Sequence, residues 1–316
     1  MEGRFESTLY ITATNQLARK PTPIVDRTGR LLGILAGQPG NSDWPLLQTQ
    51  ASQAFERLRP HCHVPKGQHR HRRGAFVALR CGISHGGGQM SPKNLVNHPM
   101  NEKVLDEING MAVFQRIASF ASGALVKIIA SPFADPPSGV VATWAPALYR
   151  YYGDKLDELC SRDFSLLRTF PSTIFAATTY NLGPRTVCYK HKDFANLAYG
   201  LCSVTSLGQF DSTKGGHLIL WELGLVIEFP PGSTILLASA LITHSNATIG
   251  KDETRYSVAH YSAGALFRWA ENGFQKTEDL YSSIPQSTRE NLEFLDSFLW
   301  EHGLSLLPTF PIRAAA

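Results

Sequence analysis

Two histidines and one aspartate in the C-terminal half have the residue types of an iron-binding site. His191 and Asp193 stand two positions apart, and His244 follows much further along the chain. Two imidazoles and one carboxylate are the ligands that hold non-haem iron(II) and leave positions open for a chelating 2-oxo acid and dioxygen. On a strand, side chains two positions apart point to one face, so His191 and Asp193 can reach the same metal. The pattern predicts an iron(II) site.

An arginine that follows these residues can bind the far end of a 2-oxo acid. Arg255 lies on the next strand-like segment after His244. Its planar guanidinium can hold a carboxylate through two parallel hydrogen bonds. Taken singly, each of the four residues also fits an ordinary role, as a surface or core histidine or as an exposed strand residue. Their joint occurrence favours an iron site in which Arg255 binds the distal carboxylate of the co-substrate.

The elements that must position this site are mostly short strands. After Pro171 the chain consists of β-branched and aromatic runs separated by turn residues. Half a dozen or more such runs predict a barrel or jelly roll. Helical spacing over 101–164, interrupted at 135–137, predicts a helical layer. We also expect a hairpin over 23–37 and a C-terminal helix over 287–301.

Composition restricts the class of protein. The chain has 316 residues, of which 43% are hydrophobic, and 30 Lys and Arg stand against 26 acidic residues. This is typical of a globular protein, and so small a charge excess does not by itself indicate nucleic-acid binding. No apolar stretch reaches the roughly 18 residues of a membrane span. Because the five cysteines show no paired spacing and the N-terminus does not resemble a signal peptide, we expect the cytosol or nucleus.

Positive charge is concentrated in one segment of the N-terminal half. Arg70, Arg72 and Arg73 lie in a run that is rich in arginine and histidine. Contacts with phosphates and a solvated loop are both open interpretations. A zinc site could be drawn from His61, Cys62, His63, His69 and His71. Neighbouring side chains there alternate along an extended chain and no CxxC pair accompanies them, so the spacing disfavours zinc.

Three segments of the C-terminal half resemble a known enzyme family. They are HKDFANLAYG, GGHLILW and THSNATIGKDETRYSVAHY, which lie within 178–261. Their order and spacing are similar to the TET/J-binding-protein family, and the overall style is similar to its compact fungal members. These are iron(II)- and 2-oxoglutarate-dependent oxygenases that oxidise methyl groups on bases in DNA.

The resemblance implies roles for individual residues. His191, Asp193 and His244 would be the iron ligands. The 2-oxoglutarate contacts would be Arg255, Ser257 and His217. Asn196 would hydrogen-bond the target base and Tyr261 would lie against it, roles that suit an amide with both a donor and an acceptor and a flat aromatic ring.

The sequence departs from the family pattern near the base. Ala195 and Ala263 stand where the family often carries histidines, and its cysteine-rich zinc region cannot be aligned. The base therefore stays open between 5-methylcytosine, with His260 as a different donor, and N6-methyladenine, while thymine also carries a 5-methyl group. A base inside a duplex must be flipped out to reach a buried metal.

A glycine-rich loop in the N-terminal half offers another candidate contact. Three consecutive glycines, Gly86–Gly88, can take positive φ or let the backbone approach a ligand closely. Arg80, Ser84 and Gln89 surround them. A flexible loop and a DNA contact are both open, and we select Gln89 as a candidate DNA-contacting residue.

The predicted fold class is α+β, with a double-stranded β-helix, a distorted jelly roll, as its core. We expect residues 1–170 to form the hairpin and helical support, including the basic and glycine-rich loops. Residues 171–316 would form the catalytic core with its C-terminal helix, and both parts would make one integrated domain.

These expectations describe a dioxygenase with iron(II), 2-oxoglutarate and dioxygen, acting on DNA that contains a methylated base. A DNA substrate implies a nuclear location; no membrane association and no obligate protein partner are expected. Two rival functions use the same residues. One is an oxygenase acting on a protein side chain or a small molecule, and the other is a DNA-binding module with an inactive barrel.

Overall fold

The computed structural model describes residues 9–11, 21–65, 67, 69–123 and 139–311. Its strands are β1 Leu9–Ile11, β2 Thr22–Val25, β3 Leu31–Gly37, β4 Arg70–His71, β5 Gly74–Ala75, β6 Ala78–Ser84, β7 Lys93–Asn94, β8 Ala177–Asn181, β9 Cys202–Gln209, β10 Leu218–Leu220, β11 Leu225–Ile227, β12 Thr234–Leu237, β13 His244–Asn246 and β14 Thr254–Tyr261. Its helices are α1 Trp44–Leu58, α2 Pro99–Gly110, α3 Ala112–Ser122, α4 Val140–Trp144, α5 Pro146–Arg162, α6 Gly264–Glu271, α7 Thr277–Ser283, α8 Gln286–Asp296 and α9 Leu299–Ser305. None of these helices is long and apolar enough to cross a membrane.

The strands form two principal sheets between which the chain passes back and forth. The main sheet has the order β2-β3-β12-β9-β14-β8-β6-β7, and the second sheet has the order β1-β11-β10-β13. From β8 onward, the chain crosses to the second sheet for β10 and β11, returns for β12, crosses again for β13 and returns for β14. All pairings among these core strands are antiparallel. This alternation is the double-stranded β-helix, so the predicted fold class is confirmed.

The N-terminal half contributes strands as well as helices to this core. Strands β2 and β3 extend the main sheet at one edge and β6 and β7 extend it at the other. Behind the sheet, Phe55 of α1 packs against Phe114 of α3 at a ring distance of 5.1 Å and against Tyr180 and Tyr256 of the sheet. Residues on both sides of position 170 therefore build the same sheet and the same core.

Two sequence predictions differ from the structure in detail. The hairpin predicted over 23–37 is present as β2 and β3. The C-terminal helix predicted over 287–301 is two helices, α8 and α9, with Ser297 at the end of the first. The Ser297 hydroxyl donates to the Phe294 carbonyl, and such local bonds compete with the helical backbone ladder. The interruption predicted at 135–137 lies outside the described residues.

Candidate active site

The second sheet brings the two histidines of the predicted metal site together. His191 and His244 exchange backbone hydrogen bonds of 3.0 and 2.9 Å, which extends the sheet beyond β13. Asp193 is held beside them because its N–H donates to the Ser239 carbonyl at 2.9 Å. The sequence places His191 and Asp193 on one regular strand; in the structure His191 is an isolated bridge residue and Asp193 begins a turn. The two side chains still converge, with His191 Nε2 3.7 Å from an Asp193 carboxylate oxygen.

The three side chains form a compact set of metal-binding atoms. The Nε2 atoms of His191 and His244 each lie 3.7 Å from a different carboxylate oxygen of Asp193. All three donors lie within 4.8 Å of one another, and no other group of three His, Cys, Asp or Glu residues in the described part of the chain meets this condition. The structure therefore assembles the predicted triad.

Backbone carbonyls fix the protonation of both imidazoles. His191 Nδ1 lies 2.7 Å from the Tyr189 carbonyl and His244 Nδ1 lies 2.9 Å from the Ile242 carbonyl. Since a carbonyl oxygen only accepts, each Nδ1 carries the proton and donates it. Each Nε2 is therefore left with a lone pair directed towards Asp193. Burial, followed by the nearby His244, lowers the pKa of His191, which favours the neutral form that binds metal.

This donor set fits iron(II). Two neutral imidazole nitrogens and one carboxylate suit a non-haem iron that keeps positions open for other ligands. The two histidines are buried, whereas Asp193 is partly exposed at the cavity. Within the described residues, the Nε2 atoms of the two buried histidines make no other hydrogen bond. A bound metal would complete this arrangement.

A cavity of about 220 Å³ lies between the two sheets and contains the triad. Strand alternation decides which residues face it. The odd-numbered residues of β14 line the cavity, whereas the even-numbered Tyr256, Val258 and His260 face away from it and are buried in the core. The lining residues of the main sheet are Arg80, Thr179, Asn181, Cys202, Val204, Ile235, Leu237, Arg255, Ser257, Ala259 and Tyr261.

Arg255 is a buried cation, and within the described part of the chain it forms no ion pair. Its side chain lines the cavity while the residue is 3% exposed. Nη1 donates to the Thr186 carbonyl at 3.1 Å, and the buried Nε has no hydrogen-bond partner. Burial lowers the pKa of Arg255 to about 10, and the neighbouring Cys188 thiol has its own pKa raised by burial and so stays neutral. No described carboxylate pairs with this guanidinium, so an anion in the cavity would satisfy it.

Polar groups around Arg255 are placed for an anionic ligand. Ser257 also lines the cavity, and its Oγ accepts a hydrogen bond from Asn181 Nδ2 at 2.8 Å. The Ser257 hydroxyl proton therefore remains available to a ligand. His217 is buried just before β10, but the neighbouring Leu218 lines the cavity and His217 does not. Its contact with the co-substrate stays a prediction.

The prediction that His260 contacts the base is wrong. His260 is an even-numbered residue of β14, so it points away from the cavity and is fully buried. Its ring stacks on Phe175 at 6.1 Å, and its Nδ1 lies 3.0 Å from the Thr178 hydroxyl. Burial lowers its pKa to about 3, so it is a neutral core histidine.

Asn196 and Tyr261 lie in the same cavity as the triad. Asn196 Nδ2 donates to the Ser239 hydroxyl at 3.1 Å, which orients the amide. The Tyr261 hydroxyl accepts from Thr179 Oγ1 at 3.4 Å. Both side chains line the cavity, as the sequence analysis requires of residues that contact the substrate.

The basic segment divides between the cavity and the outer surface. Arg72 and Arg73 line the cavity, whereas Arg70 is exposed in the β4–β5 hairpin and does not. Arg72 donates to the Lys192 carbonyl at 3.1 Å, and its guanidinium lies 5.2 Å from the centre of the Phe194 ring. Two of the three predicted arginines therefore lie at the mouth of the cavity.

Gln89 lies away from the metal site. It lines a second cavity together with the glycine loop, and Ser84 Oγ donates to its side chain at 3.5 Å. Arg80, in contrast, lines the cavity that contains the triad. The disfavoured zinc set is not assembled in the described residues: His63 stacks on His98 at 3.9 Å, and the Cys62 thiol donates to the Leu58 carbonyl.

Sequence reasoning missed several cavity residues. Phe194 is 75% exposed although it directly follows Asp193 of the triad. An aromatic residue next to a candidate ligand was a signal that could have been used. Asn181 and Cys188 carried no such signal, because only the pairing of β8 with β14 and of 188 with Asn246 brings them to the cavity.

Three solved structures are similar to this chain. NgTET1 in complex with 5mC DNA is 14% identical, with a TM-score of 0.48 and coverage of 82% of this chain and 83% of that one. An oxidoreductase of the 2OG-Fe(II) oxygenase family from Burkholderia pseudomallei is 19% identical, with a TM-score of 0.33 and coverage of 66% and 77%. A Pseudomonas putida prolyl-4-hydroxylase is 11% identical, with a TM-score of 0.31 and coverage of 69% and 86%. No family model and no curated protein matches this sequence.

The triad predicts how iron binding responds to substitution. Asp193→Ala should abolish stoichiometric iron(II) binding, because it removes the charged ligand and leaves two neutral imidazoles. Iron content after anaerobic loading and dialysis measures this loss. The melting temperature should change little, since Asp193 is partly exposed. Asp252→Ala removes an exposed aspartate and should keep the iron. Full iron content in the Asp193 variant would overturn the assignment of the site.

Proposed function

We propose that the protein is an iron(II)- and 2-oxoglutarate-dependent dioxygenase that oxidises the methyl group of a flipped base in DNA, with 5-methylcytosine as the first candidate. The observation that carries the proposal is the pairing, within one cavity, of the triad with the buried unpaired cation Arg255. A metal site alone fits many reactions. A metal site facing a buried guanidinium fits a co-substrate that chelates iron at one end and carries a carboxylate at the other.

The residues of the chain bind and orient this co-substrate. Arg255 pairs with the distal carboxylate, and the Ser257 hydroxyl donates a second hydrogen bond to it. Apolar side chains such as Leu218, Phe229 and Ile235 line the same cavity and exclude water from the ion pair. When bound, the iron supplies the activation of dioxygen; the protein supplies binding, orientation and exclusion of solvent.

The polar groups at the cavity support a nucleobase as the substrate. Asn196 presents an amide that Ser239 holds in place, and Tyr261 adds an aromatic ring. Arg72 and Arg73 supply positive charge that the phosphates flanking an extruded base would meet. The three-part arrangement of amide, aromatic ring and cations favours DNA over a neutral small molecule. With DNA as substrate, we propose a nuclear location.

Mass spectrometry of nucleosides tests the proposed reaction. The iron-loaded protein is incubated with 2-oxoglutarate and duplexes that carry 5-methylcytosine, N6-methyladenine or neither. We expect 5-hydroxymethylcytosine from the first duplex. Loss of N6-methyladenine from the second would identify the alternative base. Succinate production that no DNA stimulates would indicate a protein or small-molecule substrate, and no succinate at all would indicate an inactive binding module.

The proposed ion pair between Arg255 and the distal carboxylate predicts how a substitution changes co-substrate affinity. Arg255→Ala should weaken 2-oxoglutarate at least tenfold, because a charge-assisted hydrogen bond contributes roughly 1.5–3 kcal/mol. Titration calorimetry of the metal-loaded protein measures this change. Arg255→Lys retains the charge without the planar fork and should fall between the alanine variant and the wild type. An equal loss of DNA affinity would show that Arg255 contacts phosphate instead.

If Asn196 contacts the base, its substitution should reduce DNA oxidation selectively. Asn196→Ala should reduce oxidation of methylated DNA about tenfold to a hundredfold, because unmade buried hydrogen bonds cost roughly 1–3 kcal/mol. Iron binding, 2-oxoglutarate affinity and DNA-independent succinate formation should stay at wild-type levels. Tyr261→Ala should show the same pattern because it removes the stacking surface.

A matched variant separates base recognition from local structure. Ser239→Ala removes the hydrogen bond between Ser239 and Asn196 but keeps the Asn196 amide. If Asn196 contacts the base, Ser239→Ala should be much milder than Asn196→Ala. If both variants lower every activity and the melting temperature equally, Asn196 only stabilises the turn.

A further inference from the structure

A second cavity of about 430 Å³ lies beside the glycine-rich loop. The loop after β6 forms one wall, and α6 with the segment that follows it forms the other. Neither the triad nor Arg255 contributes to it. The proposed reaction does not use this cavity, so its chemistry needs a separate explanation.

The wall formed by α6 and the segment that follows it carries two cations. Arg268 and Lys276 both line the cavity, and neither forms an ion pair within the described residues. Lys276 Nζ instead contacts the Met90 sulfur at 2.9 Å. Both cations line this cavity together with His85, whose pKa is lowered mainly by burial and further by the charges of Arg268 and Lys276. One acidic residue, Glu278, also lines the cavity, so the lining charge remains positive.

Aromatic and backbone groups complete the cavity. The Trp269 ring is partly exposed and meets His85 edge-on at 5.0 Å, and the buried His85 Nδ1 has no hydrogen-bond partner. The glycines have positive φ, and no atom lies within 4 Å of the place a Cβ would take at Gly87 or Gly88. A ligand can therefore approach the peptide groups closely. Cations, an indole ring and an open glycine backbone together suit a phosphate with an attached base.

The second cavity is joined to the substrate end of the first by short connections. Helix α6 starts three residues after Tyr261, and the Gly264 N–H donates to the Ala195 carbonyl at 2.9 Å. Asn196 and Ala263 form a backbone bridge at the same point. A Cβ on Gly86 would lie 3.6 Å from Ala265 on the first turn of α6. The turn that carries Asn196 is thus bonded directly to the helix that carries Arg268 and Trp269.

We infer that the second cavity binds a nucleotide that flanks the target base on the same strand, with its phosphate at Arg268 and Lys276 and its base against Trp269. This inference rests on the proposed function, because the bound strand is the substrate. It assigns the glycine loop and Gln89 to strand binding at a distance from the metal. It also predicts that recognition extends to one side of the target base.

Fluorescence anisotropy with labelled single-stranded oligonucleotides tests the inference. The double variant Arg268→Ala/Lys276→Ala should bind more weakly than the wild type. Its slope of log Kd against log salt should fall by about 0.7 for each phosphate of the single strand that the variant no longer neutralises. The control Lys103→Ala/Lys251→Ala removes the same charge from exposed residues that line neither cavity and should keep the wild-type slope. DNA-independent succinate formation should be unchanged in both.

Oligonucleotides of different lengths show on which side of the target base the flanking nucleotide binds. Oligonucleotides are trimmed to the target base from the 5′ or from the 3′ end. Trimming one end should make the wild type and the double variant bind equally, whereas trimming the other end should preserve their difference. Trp269→Phe, which keeps an aromatic ring, should reduce affinity less than Trp269→Ala, whose reduction should be about fivefold to a hundredfold.

The outcomes separate this inference from the proposed function. Equal Kd and salt slope in the double variant and the wild type would overturn the inference and leave the proposed function standing. An oligonucleotide difference without any base oxidation would overturn the proposed function and support the strand site. If a deoxynucleoside monophosphate binds the wild type as tightly as the oligonucleotide does and the double variant binds neither, the cavity holds a free nucleotide and the inference fails.

Discussion

The backbone pairing of His191 with His244 is the interaction on which the site depends. It extends the second sheet and places two imidazoles side by side, with ring centres 4.3 Å apart. Each ring then donates from Nδ1 to a backbone carbonyl two residues before it, so the sheet fixes both the position and the protonation of the ligands. A loop could supply the same residues, but it would not hold both tautomers and orientations at once.

Because side chains alternate along β14, one face of this strand lines the cavity and the other face packs into the core. Arg255, Ser257 and Tyr261 face the cavity, while Tyr256 packs against Phe55 of α1 and His260 packs against Phe170 and Phe175. The aromatic layer behind the sheet therefore supports the strand that carries Arg255 and Ser257 into the cavity. Because one face of β14 is packed and the other is polar, the strand places the Arg255 cation where water cannot screen its charge. The lack of screening strengthens the attraction of Arg255 for an anion.

Charge and burial are arranged differently inside the first cavity and at the surface. Arg255 is buried deep between the sheets, where one cation without a counter-charge demands an anion. Arg72 at the mouth and Arg268 on α6 are exposed, so their attraction for phosphates is screened by salt. Under the proposed function, this contrast separates a tightly held small co-substrate inside from a polymer that binds and leaves along the surface.

The sequence by itself determined the types of residue in the metal site and the class of fold. The histidines, Asp193 and Arg255 are recognisable because few side chains can perform their chemistry, and β-branched periodicity specifies strands whatever their partners. The direction of His260 was decided by the pairing of β14, since a shift of one position exchanges core and cavity. Likewise, nothing local in the sequence joins Arg72 to Phe194 or the glycine loop to Trp269. Those neighbours are distant in the chain, and only the packing of the sheets and helices brings them together.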